Sequence, residues 1–338
     1  MVDNQQGDLS VIEYAADVPT SNFGSAFGKK GQKALSPSQK EYESHMWNLN
    51  NFPLLPNSLM QFPRLQDING INLPWLYIGM RYATFCWHYE DLMLNSMNYH
   101  HWGAPKQWYC VPEHHREKFE KAAKKKLAGL TAKDSNLLLD MVTVINPVFL
   151  KQNGVSPPLL ITPQVTVYKT LQQPGEYVLT MPGSYHSGFS MGLNIGEAVN
   201  FASKSWLPFG ARAQAIYRKT REKIPVFPFE WLLISNIRHL SQAKFDRATL
   251  TELARHYDAW LEIEKRNRLS IEKVLLTPRL MGNADLVQED AHQCFYCTDF
   301  AFASMIRCEK CARHYCIYHG VICGCADDQM ELVYRYST

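Results

Sequence analysis

The chain has 338 residues, a formal net charge of +3, 46% hydrophobic residues and 12% aromatic residues. This composition provides for a large buried core, and the small net charge indicates neither a phosphate-binding surface nor a membrane surface. No apolar run approaches the roughly 18 residues that a membrane-spanning helix needs, and the first residues lack a signal-peptide pattern. We therefore expect a soluble intracellular protein.

Short runs of aromatic and β-branched residues, separated by Gly, Pro and Asn, extend from Val11 to about Ser205. Many short strands of this kind predict a double-sheet jelly roll, mostly β with helical additions. The four clearest strands are predicted at 75–78, 107–111, 166–168 and 176–180. Alternating Glu and Lys predict a helix over 113–130, and a second helix is predicted over 135–143.

The first predicted helix contains a basic cluster from Lys121 to Lys126. Such a cluster suits either a nucleic-acid surface or a solvated helix face whose Lys stems shield the core. We favour the solvated face, so no direct nucleic-acid site is expected.

After Trp206 the pattern becomes helical, with an amphipathic segment at 211–223 and an apolar one at 229–240. A third helix is predicted from an apolar stripe that we interpret as core packing: Leu250, Leu253, Tyr257, Trp260 and Leu261. A polar connector at 283–292 then leads into a cysteine cluster. We predict three domains, a catalytic domain at 1–225, a helical segment at 226–285 and a Cys/His module at 286–338.

Two imidazoles and one carboxylate stand out as candidate metal ligands, at His88, Glu90 and His186. This is the ligand set of a non-haem Fe(II) oxygenase. If His88 and Glu90 lie on one β-strand, their side chains point to the same face. Taken alone the pair is weak evidence, because a histidine on a strand is more often a hydrogen-bonded core residue.

Polar and aromatic residues that follow the pair match a pocket for an anionic co-substrate, at Ser96, Asn98, Lys106 and Trp108. A lysine inside an aromatic strand needs an anionic partner, because burying an unpaired ammonium is costly. A dicarboxylate ligand would provide that partner.

Seven of the nine cysteines lie in the last 45 residues with CxxC-type spacing, which in an intracellular chain indicates metal binding. Together with one histidine they supply eight ligands, enough for two tetrahedral zinc ions of structural role. Our preferred pairing is cross-braced, although spacing leaves the pairing open: Cys294, Cys297, Cys316 and His319 on one ion, and Cys308, Cys311, Cys323 and Cys325 on the other. His292 and His314 could substitute as ligands but are expected to be surface histidines. Cys86 and Cys110 are isolated and expected to be buried.

Several segments together resemble the JmjC domain, and specifically the JARID branch of the histone lysine demethylases. The most specific are Phe85–Asp91, Tyr99–Tyr109, Tyr185–Phe189 and Glu197–Phe201. The likeness extends to Glu13–Asp17, Phe23–Ser25, Trp47–Asn51 and Pro74–Met80. The cysteine module resembles the five-Cys, His, two-Cys finger that follows this domain in the same branch. The resemblance implies a cupin-like double-stranded β-helix followed by a helical segment and a two-zinc module.

The resemblance also implies a role for each candidate residue. His88, Glu90 and His186 would bind Fe(II). Lys106 would pair with the distal carboxylate of 2-oxoglutarate, supported by Tyr14 and Asn98. Phe85 and Trp108 would form the wall of the co-substrate pocket, and Ser96 would lie beside it. Tyr77 and Asn200 would flank the methylated lysine of the substrate. Phe85 and His88 have opposite parity on an ideal strand, so a bend or bulge is required between them.

The resemblance implies oxidative demethylation of a lysine on a histone tail, with lysine 4 of histone H3 as the favoured site. It also implies a nuclear location. O₂ and 2-oxoglutarate would yield succinate and CO₂ while an N-methyl carbon is hydroxylated and lost as formaldehyde. Chromatin-associated proteins are possible partners. Two alternatives stay open: a hydroxylase that leaves a stable hydroxylated side chain, and a chromatin-binding scaffold without turnover.

The chain departs from the family pattern at two places, and we expect these departures to affect substrate choice or rate more than metal binding. Leu92, Met93 and Asn95 stand where polar and aromatic residues are expected, and Ser190 stands where Asn is expected. The JmjN segment that pairs with the catalytic domain in this family is not recognisable in the chain. We expect that it lies upstream or that stability is achieved otherwise.

Overall fold

A computed structural model gives the structure of the chain. The residues it describes are 11–29, 31, 36–61, 68–127, 144–146, 149–150, 165–221, 223–273, 279–281, 292–319, 323–325 and 330–336. The chain divides into two compact units. The first comprises Met1–Phe52, Asp67–Tyr89 and Ser96–Asn200, and the second Pro53–Gln66, Glu90–Asn95 and Phe201–Thr338. The division into three domains at 1–225, 226–285 and 286–338 stays a prediction.

The first unit is built on two β-sheets. Its strands are β1 (Tyr14–Pro19), β2 (Trp75–Gly79), β3 (Thr84–His88), β4 (Asn95–Gly103), β5 (Lys106–Val111), β6 (Tyr168–Gln172), β7 (Tyr177–Thr180), β8 (Tyr185–Ser190) and β9 (Asn194–Phe201). One sheet has five strands in the order β1-β2-β9-β4-β7, and the other has four in the order β3-β8-β5-β6. The predicted mostly-β, double-sheet fold is confirmed.

A β-bulge interrupts the pairing of β3 with β8. Phe85 is paired with Gly188 and His88 with His186, so three steps along β3 match two steps along β8. The extra residue shifts the alternation of side chains by one, which brings Phe85 and His88 to the same face. The bulge predicted from their parity is confirmed.

The predicted strands agree with the structure except at one place. The runs at 75–78 and 107–111 lie within β2 and β5, and the run at 176–180 corresponds to β7. The prediction at 166–168 is wrong for its first two residues, because β6 begins at Tyr168. Its start is determined by its partner, since the pairing with β5 runs from Tyr168 with Cys110 to Gln172 with Lys106.

Three helices of the first unit fall in the described residues: α1 (Thr20–Phe23), α2 (Pro37–Tyr42) and α3 (Arg116–Lys126). A capping box starts α2, because the Ser36 hydroxyl accepts from the Gln39 amide and the Gln39 side chain accepts from the Ser36 amide. Helix α3 corresponds to the prediction at 113–130, and its lysines after Glu120 are exposed, as expected for a solvated face. The helix predicted at 135–143 lies outside the described residues.

The second unit combines helices with a small sheet. The helices are α4 (Leu207–Thr220), α5 (Phe229–Arg238) and α6 (Arg247–Glu272), and the strands are β10 (Arg279–Leu280), β11 (Ser304–Cys308), β12 (Arg313–Cys316) and β13 (Met330–Tyr334). The sheet order is β10-β13-β11-β12. Short 3-10 turns are present at Phe52–Leu54, Asp91–Met93, Glu113–His115, Lys204–Trp206 and Leu240–Gln242. Within the described part of the chain, no helix has the length and apolar character needed to cross a membrane.

The inward face of α6 differs from the predicted apolar stripe. Leu253 is fully buried, but Leu250 is 39% exposed. The first turn instead buries Thr249, whose amide donates to the capping carboxylate of Asp246 at 2.7 Å. Further along, the buried positions are Glu264 and Arg268. The face therefore changes from apolar packing to a buried ion pair, which periodicity of apolar residues alone does not reveal.

Candidate active site

The two candidate imidazole ligands lie directly opposite each other on neighbouring strands. His88 ends β3 and is paired in register with His186 of β8, and their ring centroids are 4.2 Å apart. Nδ1 of His88 lies 2.7 Å from the Cys86 carbonyl, and Nδ1 of His186 lies 3.1 Å from the Ser184 carbonyl. A backbone carbonyl at Nδ1 places the proton there and presents Nε2 as the ligand atom, the usual arrangement for metal-binding histidines.

Glu90 completes the ligand set from outside the strand. The condition that one strand carries both His88 and Glu90 is not met, because β3 ends at His88 and Glu90 precedes the 3-10 turn at Asp91–Met93. The ligand atoms of His88, Glu90 and His186 nevertheless lie within 4.8 Å of one another. Two imidazoles and one carboxylate at this spacing suit an Fe(II) ion that keeps open coordination positions.

The turn after Glu90 is strained and held in place by two aromatic side chains. Leu92 and Met93 have φ angles of 51° and 54°, in the left-handed region that side chains other than glycine rarely adopt. The Leu92 amide donates to the Tyr217 hydroxyl at 3.1 Å, and the Trp206 indole donates to the Leu92 carbonyl at 2.8 Å. Such strain persists only where the surroundings fix it.

Trp206 and Tyr217, which contact the backbone of Leu92, were not predicted as site residues. They lie more than a hundred residues from the turn, and their aromatic character indicates ordinary core packing. The residues that depart from the family pattern, Leu92, Met93, Asn95 and Ser190, are all buried. They therefore affect packing around the site more directly than its accessible surface.

An aromatic wall stands next to the ligands. The ring centroid of Trp108 is 4.6 Å from that of Phe85 and 6.0 Å from that of His186, and its indole nitrogen donates to Gln172 Oε1 at 2.9 Å. Glycine at 188 makes this packing possible, because a Cβ there would lie 2.5 Å from the Phe85 ring and 2.1 Å from a backbone oxygen. The structure brings Phe85 and Trp108 together as the prediction requires.

Lys106 is buried on the face of β5 that also carries Trp108. Only 7% of the residue is exposed, and burial lowers the pKa of its ammonium to about 8. Nζ lies 5.7 Å from the centroid of the Tyr77 ring, and among the described residues no carboxylate lies within ion-pair distance of it. A Cβ at Gly196 would lie 3.2 Å from Nζ, so glycine leaves room there. A buried ammonium in this setting fits an anionic ligand.

The other predicted pocket residues lie on strands of the five-stranded sheet. The rings of Tyr14 and Tyr77 are 6.4 Å apart, and burial raises the pKa of Tyr14 well above its usual value. The Asn98 amide donates to Ser96 Oγ at 3.2 Å, which in turn lies 2.6 Å from the hydroxyl of Thr180. Asn200 is buried in β9, where alternation places it on the same face as Gly196. Thr180, Gln172 and Gly196 were not predicted, since none carries a signal of its own.

The cysteine module forms two clusters of four potential ligands. In each cluster the ligand atoms lie within 4.8 Å of one another. The first contains Cys294, Cys297, Cys316 and His319, and the second contains Cys308, Cys311, Cys323 and Cys325. Hydrogen bonds from Cys297 and Cys316 lower the pKa of the Cys294 thiol to about 2. The grouping is the cross-braced one, and four sulfur or nitrogen ligands at this spacing suit tetrahedral zinc.

The remaining histidine and cysteine predictions have mixed outcomes. His292 and His314 are half-buried with ring centroids 4.9 Å apart, rather than at the surface, and neither belongs to a ligand cluster among the described residues. Cys86 and Cys110 are half-buried rather than buried. Both lie in strands of the four-stranded sheet, β3 and β5.

The fold and both clusters define a class of protein. Residues 75–201 match the JmjC domain, hydroxylase family, and residues 294–338 match the C5HC2 zinc finger. The chain is therefore a JmjC-domain protein with a C5HC2 zinc finger, as its motifs predicted.

The most informative relatives are similar over nearly the whole chain. Lysine-specific demethylase 5B of Gallus gallus is 35% identical over 330 residues, 96% of this chain and 21% of the relative. Lysine-specific demethylase JMJ17 of Arabidopsis thaliana is 33% identical over 346 residues, 100% of this chain and 28% of the relative. Lysine-specific demethylase 5D of Homo sapiens is 36% identical over 344 residues, 100% of this chain and 21% of the relative. The chain thus spans about a quarter of the length of these relatives.

Proposed function

We propose that the chain is an Fe(II)- and 2-oxoglutarate-dependent dioxygenase that removes methyl groups from a lysine of a histone tail. One observation supports this most strongly. The ligand atoms of His88, Glu90 and His186 lie within 4.8 Å of one another. Lys106 is buried with no carboxylate partner among the described residues, on the face of β5 that also carries Trp108, whose ring centroid is 6.0 Å from that of His186. A candidate metal site together with a buried ammonium suits a co-substrate with a keto acid at one end and a carboxylate at the other.

Each residue has a separate task in this proposal. Nε2 of both histidines and the Glu90 carboxylate hold Fe(II), while the hydrogen bonds at Nδ1 fix the ring orientations. The Lys106 ammonium binds the distal carboxylate of 2-oxoglutarate, with Tyr14, Asn98 and Ser96 beside it. The rings of Phe85 and Trp108 exclude water from one side of the co-substrate.

The bound iron, with 2-oxoglutarate and O₂, supplies the oxidant for hydroxylation of an N-methyl carbon, and the overall products are succinate, CO₂, formaldehyde and the demethylated amine. The chain itself binds, orients and shields the reactants. Tyr77 offers an aromatic face to the methylammonium, and Asn200 lies on the same inward face. The preference for lysine 4 of histone H3, and a nuclear location, rest on the resemblance to the JARID branch.

Zinc has a structural part in the proposal. Two Zn(II) ions would fill the two clusters, and closed four-ligand sites contribute folding free energy without an open position for substrate. The methylated histone tail is the proposed partner, and chromatin-associated proteins are further candidates.

The deciding experiment is turnover on a panel of histone peptides methylated at different lysines, with formaldehyde detection and mass spectrometry. Loss of a methyl mass together with formaldehyde supports the proposal, and His88→Ala should abolish both while circular dichroism stays unchanged. His114→Ala, at an exposed histidine, is the matched control and should keep full activity. Activity retained by His88→Ala would contradict the assignment.

Two other outcomes favour the alternatives. A product that keeps one extra oxygen and releases no formaldehyde identifies a hydroxylase with a stable product. Absence of turnover, together with absence of a visible charge-transfer band for anaerobic Fe(II) and 2-oxoglutarate, identifies a binding scaffold.

A further inference from the structure

A cavity opens on the outer face of the five-stranded sheet. Its volume is about 380 Å³. Tyr99 of β4 lines it, and alternation along the strand points Tyr99 away from Ser96 and Asn98, which belong to the candidate co-substrate pocket. Tyr177 of β7 is paired with Tyr99 in register and also lines the cavity. The cavity therefore lies on the face of this sheet opposite to Ser96 and Asn98.

Five aromatic side chains line the cavity, Phe27, Tyr42, Trp47, Tyr99 and Tyr177. The ring centroids of Tyr99 and Tyr177 are 4.5 Å apart, those of Trp47 and Tyr177 are 5.1 Å apart, and those of Phe27 and Tyr99 are 4.8 Å apart. Tyr42 and Trp47 also line the cavity and are 43% and 44% exposed. Exposed aromatic residues gathered around a cavity characterise a binding surface.

The wall is held rigidly by buried hydrogen bonds. Asn48 is fully buried, and its amide donates to the carbonyls of Gly28 at 3.0 Å and Tyr42 at 2.9 Å. The Tyr177 hydroxyl donates to the Trp47 carbonyl at 2.7 Å. The segment that carries Tyr42 and Trp47 is thereby fixed against the sheet. The cavity is preorganised, which reduces the entropy lost when a ligand binds.

Aromatic rings and two imidazoles, those of His45 and His101, line the cavity without a fixed cation among the described residues. The described residues that line it include no lysine or arginine. Behind the lining His101, the buried Glu197 carboxylate lies 2.9 Å from the imidazole and accepts from the Ser25 hydroxyl at 2.6 Å. The faces of aromatic rings carry negative partial charge, and a nearby carboxylate adds to the negative potential.

We propose that this cavity binds the methylated ammonium of a lysine side chain presented on a peptide. An alkylated ammonium is weakly hydrated and gains from contact with several ring faces, and the volume suits one such side chain. The site is a binding site separate from the proposed turnover and does not rest on it. Trp47, in the segment Trp47–Asn51 that belongs to the sequence resemblance, would then contact the bound ligand in addition to packing against Tyr177.

The test is calorimetric titration of the full chain with three blocked amino-acid probes. They are trimethyllysine, its uncharged tert-butyl isostere, and arginine. The trimethyllysine probe is expected to bind at least about tenfold more tightly than the isostere, because the shapes match and only the charge differs. Equal binding of the isostere, tighter binding of arginine, or no binding of trimethyllysine overturns the proposal.

Variants assign the binding to this cavity. Trp47→Leu is expected to weaken trimethyllysine binding about tenfold, whereas Trp47→Phe retains most of it. Tyr168→Leu, at a tyrosine of β6 that is 60% exposed, is the matched control and should bind as the parent does. Equal melting temperatures establish that each variant is folded. Loss of binding in Asn200→Ala with retention in Trp47→Leu would place the probe on the inward face and overturn the proposal.

Discussion

The hydroxyl of Tyr217 accepts a hydrogen bond of 3.1 Å from the backbone amide of Leu92, two residues after the candidate iron ligand Glu90. Leu92 has a φ of 51°, and both residues are buried. The phenol therefore satisfies the amide of a strained residue and fixes the direction in which the chain leaves Glu90. Tyr217 is a positioning residue for the carboxylate.

Tyr217→Phe is expected to weaken binding of Fe(II) about tenfold or more and to lower the free energy of unfolding by about 1–3 kcal/mol. The buried Leu92 amide loses its acceptor, and the strained turn can relax away from the metal. Anaerobic titration of Fe(II), followed by the charge-transfer band with 2-oxoglutarate, measures the first effect. Tyr168→Phe, which removes an exposed hydroxyl, is the control. Unchanged metal affinity in Tyr217→Phe would show that Glu90 is held by other contacts.

Lys106→Met is expected to abolish 2-oxoglutarate binding without destabilising the ligand-free fold. Burial lowers the pKa of Lys106 from 10.5 to about 8, so between these values the unfolded chain holds the proton more tightly than the folded chain. The stability of the ligand-free parent should therefore rise with pH across this range, by up to about 3 kcal/mol. The variant should lack that rise. Chemical denaturation at several pH values measures it.

The affinity for 2-oxoglutarate should respond to pH in the opposite direction. Binding of the dicarboxylate requires the Lys106 ammonium, so the dissociation constant is expected to increase up to about tenfold per pH unit above the pKa of about 8. Calorimetry between about pH 7 and 9 tests this. An affinity that stays constant over this range is incompatible with Lys106 as the carboxylate partner.

Cys308→Ser should chiefly lower stability. The substitution removes one of the four sulfur ligands of the second cluster, which would release its zinc and the folding free energy that zinc supplies. Zinc content should fall from two ions toward one, and the melting temperature should decrease. Cys110→Ser, at a cysteine outside both clusters, should leave the zinc content unchanged. A full complement of zinc in Cys308→Ser would refute the assignment.

Arg268→Met should destabilise the second unit by about 3–5 kcal/mol. The guanidinium donates to Glu264 Oε1 at 3.0 Å, Ser304 Oγ at 2.9 Å and the Tyr336 carbonyl at 2.9 Å, so its loss leaves a buried carboxylate without its cation. A double variant that also carries Glu264→Met should recover much of the loss, because no unpaired charge stays buried. Urea denaturation of the two variants measures the difference. Equal instability of both would mean that packing, rather than charge, is the cause.

The double-sheet fold could be predicted from the sequence because short aromatic and β-branched runs carry their own strand signal. The bulge followed from the family resemblance, which places Phe85 and His88 at one pocket although their parity on an ideal strand is opposite. The strand end at His88 could not be predicted, because it depends on the turn that Tyr217 and Trp206 hold. Contacts over more than a hundred residues leave no trace in local periodicity.

The exposure of Leu250 has a local cause. Its neighbour Thr249 takes the inward position because the Asp246 cap fixes the first turn of α6. The eight ligands, by contrast, follow from spacing, because CxxC pairs already bring two thiols to one side of a turn, but spacing left open how they divide between the two clusters. The role of each ligand stays a prediction until metal content is measured.

One additional residue in β3 has a wider consequence. Phe85 and His88 face the same way because three positions of one strand are matched by two of the other. Regular pairing of β3 with β8 without the bulge would put Phe85 and His88 on opposite faces and turn the phenyl ring outward, whereas deletion of one residue between them would leave both on the same face. A variant that kept the length of β3 but lost the bulge could therefore keep both sheets paired and yet lose the hydrophobic wall beside the candidate metal site, so the register of this strand matters more than its length.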